Sequence, residues 1–220
     1  MFALGVNAVR SGLRRAAAIA ALVMVGLIAM SLGADARPAA PALSTYFPMT
    51  PGWIWFYNTN DMGRIAIRVG DKQRLGNQDC RIFETVVGQN VVQAECHSIT
   101  SEGVYTHQRV SATQGGMVLT PPQRILAAPV TVGQAWQWQG KIGDQGVVFE
   151  YSWARRELVK TGMGSFSTMQ LFMTATPGPG VLLQSWRWFA PNVGMVKEDT
   201  VVTQGGRQQR HYVELVKLVK

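Results

Sequence analysis

Two cysteines and three histidines are all that 220 residues offer to thiol or metal chemistry. No C-x-x-C, H-E-x-x-H, P-loop or dinucleotide fingerprint occurs. The nearest approach to a G-x-S-x-G nucleophile elbow is Gly162-Met163-Gly164-Ser165-Phe166, which reads as a connection between strands. Acidic side chains are scarce, 13 against 21 lysines and arginines. The adjacent Glu198-Asp199 would point to opposite faces of a strand, so no paired carboxylates are marked for acid–base work. No catalytic residue, metal ligand or cofactor is assigned, and the chain reads as non-catalytic. Charged residues amount to only 15%, while 47% are hydrophobic, a balance that excludes a disordered chain and a polytopic membrane protein alike.

What is present begins at the N-terminus. Arg10, Arg14 and Arg15 form a basic head, residues 16–32 (AAAIAALVMVGLIAMSL) an apolar run, and Ala34 and Ala36 a small-x-small site. That order spells an export signal over residues 1–36, a signal helix cleaved near Ala36. The apolar run falls short of the roughly 20 residues that span a bilayer. An uncleaved segment acting as an inner-membrane anchor is the alternative. The expected location is periplasmic or secreted, and export keeps the chain from nucleic acid. Its basic balance of +8 then fits solubility, or weak attraction to an anionic envelope surface.

Residues 37–44 read as an extended linker, since Pro38 and Pro41 block a helix. Beyond it helical periodicity is almost absent. Runs of Val, Ile, Thr, Trp, Tyr and Phe alternate with Gly, Asn, Asp and Pro clusters, the pattern of antiparallel strands. Twelve are expected, near 53–58, 64–69, 79–87, 91–99, 104–110, 116–119, 134–140, 146–161, 165–175, 181–189, 195–203 and 208–219. Only 121–128 (PPQRILAA) suggests a turn of helix, with proline at its start. The fold class is all-β: an antiparallel meander forming a curved sheet or half-barrel in a single domain over 45–220.

Charge and parity set two hairpin registers. Turning at Ser101-Glu102-Gly103 places Glu95 opposite Arg109, Ile99 opposite Tyr105 and His97 beside His107. Turning at Gly205-Gly206 places Lys197 opposite Glu214. In the first hairpin Val92, Ala94 and Cys96 would share the apolar face, and Gln93, Glu95 and His97 a solvated polar one. Cys80 and Cys96 fall at nearly one level of adjacent strands, which in an exported chain favours a disulfide. An internal echo also appears. Pro48-x-x-x-Gly52-x-x-Trp55 recurs as Pro129-x-x-x-Gly133-x-x-Trp136, dividing the domain into similar halves, 45–120 and 129–220.

Three pieces carry a resemblance: Tyr46-Phe47-Pro48-x-x-x-Gly52-x-x-Trp55, the second copy of that pattern, and Trp188-Phe189-Ala190-Pro191-x-Val193-Gly194-x-Val196-Lys197. Together with the closing Glu214-Leu215-Val216, they resemble the TapB-like family of exported bacterial proteins of unknown function over about 45–217. The family's V-x-A-G-T-F-type turn is replaced here by Gly162-Met163-Gly164-Ser165-Phe166. The resemblance implies a curved antiparallel fold and an exported location, and it supplies no catalytic residue. Physically, the W-F-A-P stretch reads as a corner, since Pro191 bars helix at Ala190 and Gly194 allows a close approach.

Seven tryptophans and ten methionines suggest either a filled core or a concave face sheltering an apolar ligand. Candidates are Phe149, Tyr151 and Trp153 on one strand, and Trp186, Trp188, Phe189 and Met195 on another segment. The expected function is a binding module for an apolar small molecule, a lipid or an envelope protein, and an aromatic cavity would support it. An uncovered sheet edge would favour an assembly factor of a surface apparatus instead. Convergence of His97, His107 and His211 in a pocket would favour a hydrolase or metal-dependent enzyme.

Overall fold

The computed structural model describes residues 41–220 apart from 114 and 143. The export signal, the cleavage site and the first part of the linker lie outside the described residues. One helical turn, α1 (Leu43–Tyr46), takes up the end of the segment expected to be extended. Twelve strands follow: β1 (Ile54–Thr59), β2 (Arg64–Leu75), β3 (Gln78–Val87), β4 (Asn90–Ile99), β5 (Gly103–Ser111) and β6 (Gly115–Ala127), then β7 (Ala135–Ile142), β8 (Gln145–Thr161), β9 (Gly164–Gly178), β10 (Val181–Ala190), β11 (Gly194–Gln204) and β12 (Arg207–Val219).

Each strand pairs antiparallel with the next, and β1 pairs with β12 as well as β2, so the meander closes into a barrel. The half-barrel expectation is corrected here. Closure comes from pairing Ile54 with Val219 and Thr59 with Val213, contacts between the two ends of the domain. Bulges or irregularities in eight of the ladders, among them β1–β12 at Phe56/Tyr57 and β8–β9 at Trp153/Arg155, bend the strands enough to bring those ends together.

The expected helix at 121–128 is also corrected: β6 runs straight through it. Pro121 and Pro122 offer no N–H, and β6 joins β7 through only Leu119–Ile142 and Thr120–Lys141. Beyond that point three indoles replace the ladder. Trp138 Nε1 donates to Pro121 O at 3.1 Å, Trp136 Nε1 to Arg124 O at 3.0 Å and Trp153 Nε1 to Ala127 O at 2.9 Å. Carbonyls that a helix or a neighbouring strand would have satisfied are thus taken by side chains. Gly140 lets Trp138 fold back against this seam. A Cβ there would stand 2.3 Å from Trp138 Cζ2 and 2.8 Å from the Thr120 carbonyl oxygen. Gly140→Ala should therefore cost about 2–3 kcal/mol, the upper part of the overpacking range, read as a lowered urea midpoint.

The echoed motif folds alike in both copies. Gly52 and Gly133 adopt φ of 84° and 88°. Gly52 N–H donates to Val69 O and Val69 N–H to Trp53 O, just as Gly133 N–H donates to Trp153 O and Trp153 N–H to Gln134 O. The copies open β1 and β7, strands half a circuit apart.

The W-F-A-P corner joins β10 to β11 and ties down the start of the domain. Asn192 N–H donates to Thr45 O at 2.7 Å, Trp55 Nε1 to Val193 O at 2.6 Å and the Tyr57 hydroxyl to Met195 O at 2.9 Å. Gly194 comes within 3.4 Å of Pro48 Cδ, measured from where its Cβ would be. Leu43 and Tyr46 pack with Val104, Leu126, Trp153 and Phe189, so α1 occupies this end of the barrel. Outside, exposed charges recur along the strands at Arg64, Arg68, Lys72, Glu150, Lys160, Arg207 and Arg210. On a lipid-facing wall, arginine or lysine at mid-depth would each cost about 2–4 kcal/mol; this wall is built to face water.

Candidate functional site

Strand alternation sends every second side chain inward, and in a twelve-stranded barrel those side chains do not fill the interior. A cavity of about 560 Å³ remains. Phe47, Trp55, Phe83, Phe149, Phe189 and Met195 supply much of its apolar lining. Phe47 closes it near α1, packing 5.1 Å from the Phe83 ring and 5.2 Å from the His97 ring, centre to centre. Met62 and His211 stand at the opposite, hairpin-turn end. There Asp61 Oδ2 lies 2.9 Å from His211 Nδ1, and Asn60 binds both Arg210 O and Tyr212 N–H.

Two acid–base pairs face each other across this interior. On one wall Arg109 Nε donates to Glu95 Oε1 at 2.6 Å, in the cross-strand register that charge and parity indicate. Arg109 Nη2 donates to Gln123 Oε1 at 2.8 Å, and Gln123 Nε2 to the Tyr151 hydroxyl oxygen at 2.8 Å. His97 Nε2 lies 3.4 Å from Glu95 Oε2. Burial alone would raise the Glu95 carboxyl, but His97 and the Arg109 charge outweigh it and hold the group well below the usual carboxylate range. Burial pushes the Tyr151 phenol up to about 12, against the charges of Arg187 and Arg109.

On the other wall Arg187 pairs directly with Glu198 across β10–β11. Arg187 Nη2 donates to Glu198 Oε1 at 3.3 Å. Arg187 Nε is 3.2 Å from Glu198 Oε2 but at an angle that makes no hydrogen bond. Thr200 Oγ1 lies 2.8 Å from Glu198 Oε1 and 2.7 Å from Ser185 Oγ. Burial would lower Arg187, and the Glu198 charge more than offsets it, so the guanidinium stays charged.

The polar face of β4 is thus an inner wall: Gln93, Glu95 and His97 line the cavity, where the sequence suggests a solvated surface. A bulge at Cys96/His97 also shifts the register by one. His97 meets Thr106 and Ile99 meets Val104, in place of His107 and Tyr105. His97 Nδ1 lies 3.1 Å from Thr106 Oγ1, whereas His107 Nε2 lies 2.7 Å from Ser98 Oγ. Burial, then the His97 charge, pushes His107 below the ordinary imidazole range. His97 and His211 border the cavity and His107 does not, so the three imidazoles do not converge. Among the described residues no three His, Cys, Asp or Glu side chains are grouped to hold a metal ion.

Cys80 and Cys96 form a disulfide with Cα atoms 5.5 Å apart. Closing a loop of 16 residues, it stabilises the fold by about 3 kcal/mol in the chain-entropy picture. The Cys80→Ser/Cys96→Ser variant should lose that amount in urea titration, while the reducing agent that destabilises the wild type leaves the variant unchanged.

Phe149 and Tyr151 line the cavity as their strand pattern suggests, and Trp153 lies fully buried beneath α1. The other aromatic segment divides. Phe189 and Met195 face inward, while Trp188 donates its indole N–H to Glu157 Oε1 at 2.5 Å and lies under Lys197. Arg187, Glu198 and Gln123 were not legible as site residues. In Trp186-Arg187-Trp188, polarity alone puts the tryptophans inside and the arginine outside, the reverse of the fold. The signal that would have found the pair is the cross-strand opposition of Arg187 and Glu198, the same rule that found Glu95 and Arg109.

No protein-family model and no curated protein matches this chain. Three solved structures are similar to it. A candidate lipoprotein from Parabacteroides distasonis aligns with a TM-score of 0.49 at 12% identity, over 80% of this chain and 98% of that one. A candidate exported protein with YmcC-like fold from Bacteroides fragilis gives 0.42 at 12%, over 80% and 99%. The hypothetical lipoprotein YmcC from Escherichia coli gives 0.39 at 12%, over 81% and 89%.

Proposed function

We propose that this chain is an exported, non-catalytic binding protein of the TapB-like kind, whose barrel takes up a small, largely apolar molecule in the cell envelope. One observation carries the reading: a 560 Å³ cavity with aromatic and methionine walls and a few fixed polar groups, within the roughly 300–1,000 Å³ typical of small-molecule sites. Its carboxylates are already engaged, Glu95 by Arg109 and His97, Glu198 by Arg187 and Thr200, an arrangement suited to holding a molecule rather than moving protons. The N-terminal signal and the disulfide support an envelope location. The assembly-factor reading loses its main support, because the closed ladder leaves β1 and β12 paired with each other.

Native mass spectrometry of the protein taken from its own envelope tests this. The expected species begins near Arg37, is two hydrogens light at the cysteines, and carries a small organic adduct released on activation. A bare polypeptide, with no change in thermal unfolding on adding apolar compounds, would overturn the binding role. A cytosolic chain with residues 1–36 intact would overturn export.

A further inference from the structure

The hydrogen-bonding balance inside the cavity identifies the head group of its occupant, given the binding role proposed above. Most acceptors are engaged, and the remaining one, Glu198 Oε2, stands 3.2 Å from the Arg187 charge. Glu95 Oε1 takes Arg109, Glu95 Oε2 faces His97, Gln123 Oε1 takes Arg109, and Glu198 Oε1 is shared by Arg187 and Thr200. Donors are in surplus. Arg187 Nε lies 3.2 Å from Glu198 Oε2 at an angle that makes no hydrogen bond, and the one hydrogen bond between the pair, from Nη2, is a long 3.3 Å. The Tyr151 oxygen accepts from Gln123, which leaves its own O–H without a protein acceptor among the described residues. Arg187 and Tyr151 line the same cavity.

A guanidinium presents five N–H groups on two edges, so one carboxylate along one edge does not exhaust it. The group that fits beside donors with no acceptor is rich in oxygen lone pairs and brings no hydrogen of its own. An ammonium head would find Glu95 taken by Arg109 and His97 and Glu198 beside the Arg187 charge, and an alcohol would add another donor. The surrounding rings and methionines call for hydrocarbon on the rest of the molecule.

We infer that the cavity binds a single-chain amphiphile by its carboxylate, which is held by Arg187 and Tyr151 while the hydrocarbon lies among Trp55, Phe83, Phe149 and Met195.

Titration calorimetry with the full, disulfide-bonded chain tests this, using dodecanoate, dodecanol and dodecyltrimethylammonium below their micelle concentrations. Dodecanoate should bind at least about tenfold more tightly than the other two, the scale of one charge-assisted hydrogen-bonded contact. Arg187→Gln should abolish that preference while leaving dodecanol within about twofold, and Arg68→Gln on the outer wall should leave both unchanged. If Arg187→Gln does not fold, Tyr151→Phe keeps the ring and should still weaken dodecanoate selectively, by about threefold or more. Equal binding of dodecanoate and dodecanol, or a preference that survives both cavity substitutions, overturns the carboxylate assignment and leaves the binding role standing. If none of the three binds and an apolar dye is not taken up either, the binding role itself falls.

Discussion

Trp153→Ala is expected to lower the unfolding free energy by about 5 kcal/mol, the largest effect of any single substitution considered for this barrel. The side chain has no exposed surface and packs edge-on against Phe189, with ring centres 6.1 Å apart. Truncating a buried tryptophan costs about 3–5 kcal/mol through lost burial and the hole left behind. Its indole N–H also satisfies Ala127 O at the seam where β6 has no strand on its β7 side, and leaving that carbonyl unmet adds about 1–3 kcal/mol. Against a total stability of roughly 5–15 kcal/mol, the alanine variant should be largely unfolded or have a sharply lowered urea midpoint. Trp153→Phe shifts the balance between the two contributions, since it keeps a six-membered ring in the core and loses the donor with the smaller part of the indole. A phenylalanine variant as stable as the wild type would mean that the indole does not serve as the substitute for the missing ladder.

The seam also shows where local sequence reasoning reaches and where it stops. All twelve strands are legible, because each carries β-branched and aromatic residues between turn formers. The Lys197–Glu214 and Glu95–Arg109 registers are legible because opposed charges mark them. Closure is not, since nothing local relates Ile54 to Val219. The strand through PPQRILAA is hidden for a related reason: on one side it pairs with β5, but on the other its partners are tryptophan side chains from β7 and β8 rather than a backbone ladder. The His97–His107 pairing fails on one inserted residue, because a single bulge reverses which face each later side chain takes. Half of the polar site was visible through Glu95 and Arg109. The other half was masked because Arg187 turns inward between two tryptophans that β8 and β9 cover from outside, through Glu157 beneath Trp188 and Phe172 against Trp186.

Removing one member of the inner ion pair has a different signature, because it acts through charge. Arg109→Met leaves Glu95 facing His97 alone and Gln123 Oε1 without its donor. Breaking a buried pair from one side costs about 3–5 kcal/mol, and the lower figure applies here because a quarter of each side chain, 26% and 24%, borders the cavity. Replacing both partners, as Glu95→Leu/Arg109→Met, should return more than half of that loss, since no uncompensated charge remains. The acid limb supplies an independent check. Glu95 is depressed in the folded state, so between its folded and unfolded pKa values the unfolded chain binds more protons and stability rises with pH. The contribution is present above about pH 4.3, the ordinary glutamate value, and is lost as pH falls below it. Glu95→Gln should flatten urea stability across that acid window. Arg109→Met, which raises the carboxyl back towards its ordinary value, should lose much of the same slope. An acid limb identical in the wild type and both variants would show that this pair contributes no charge-linked stability.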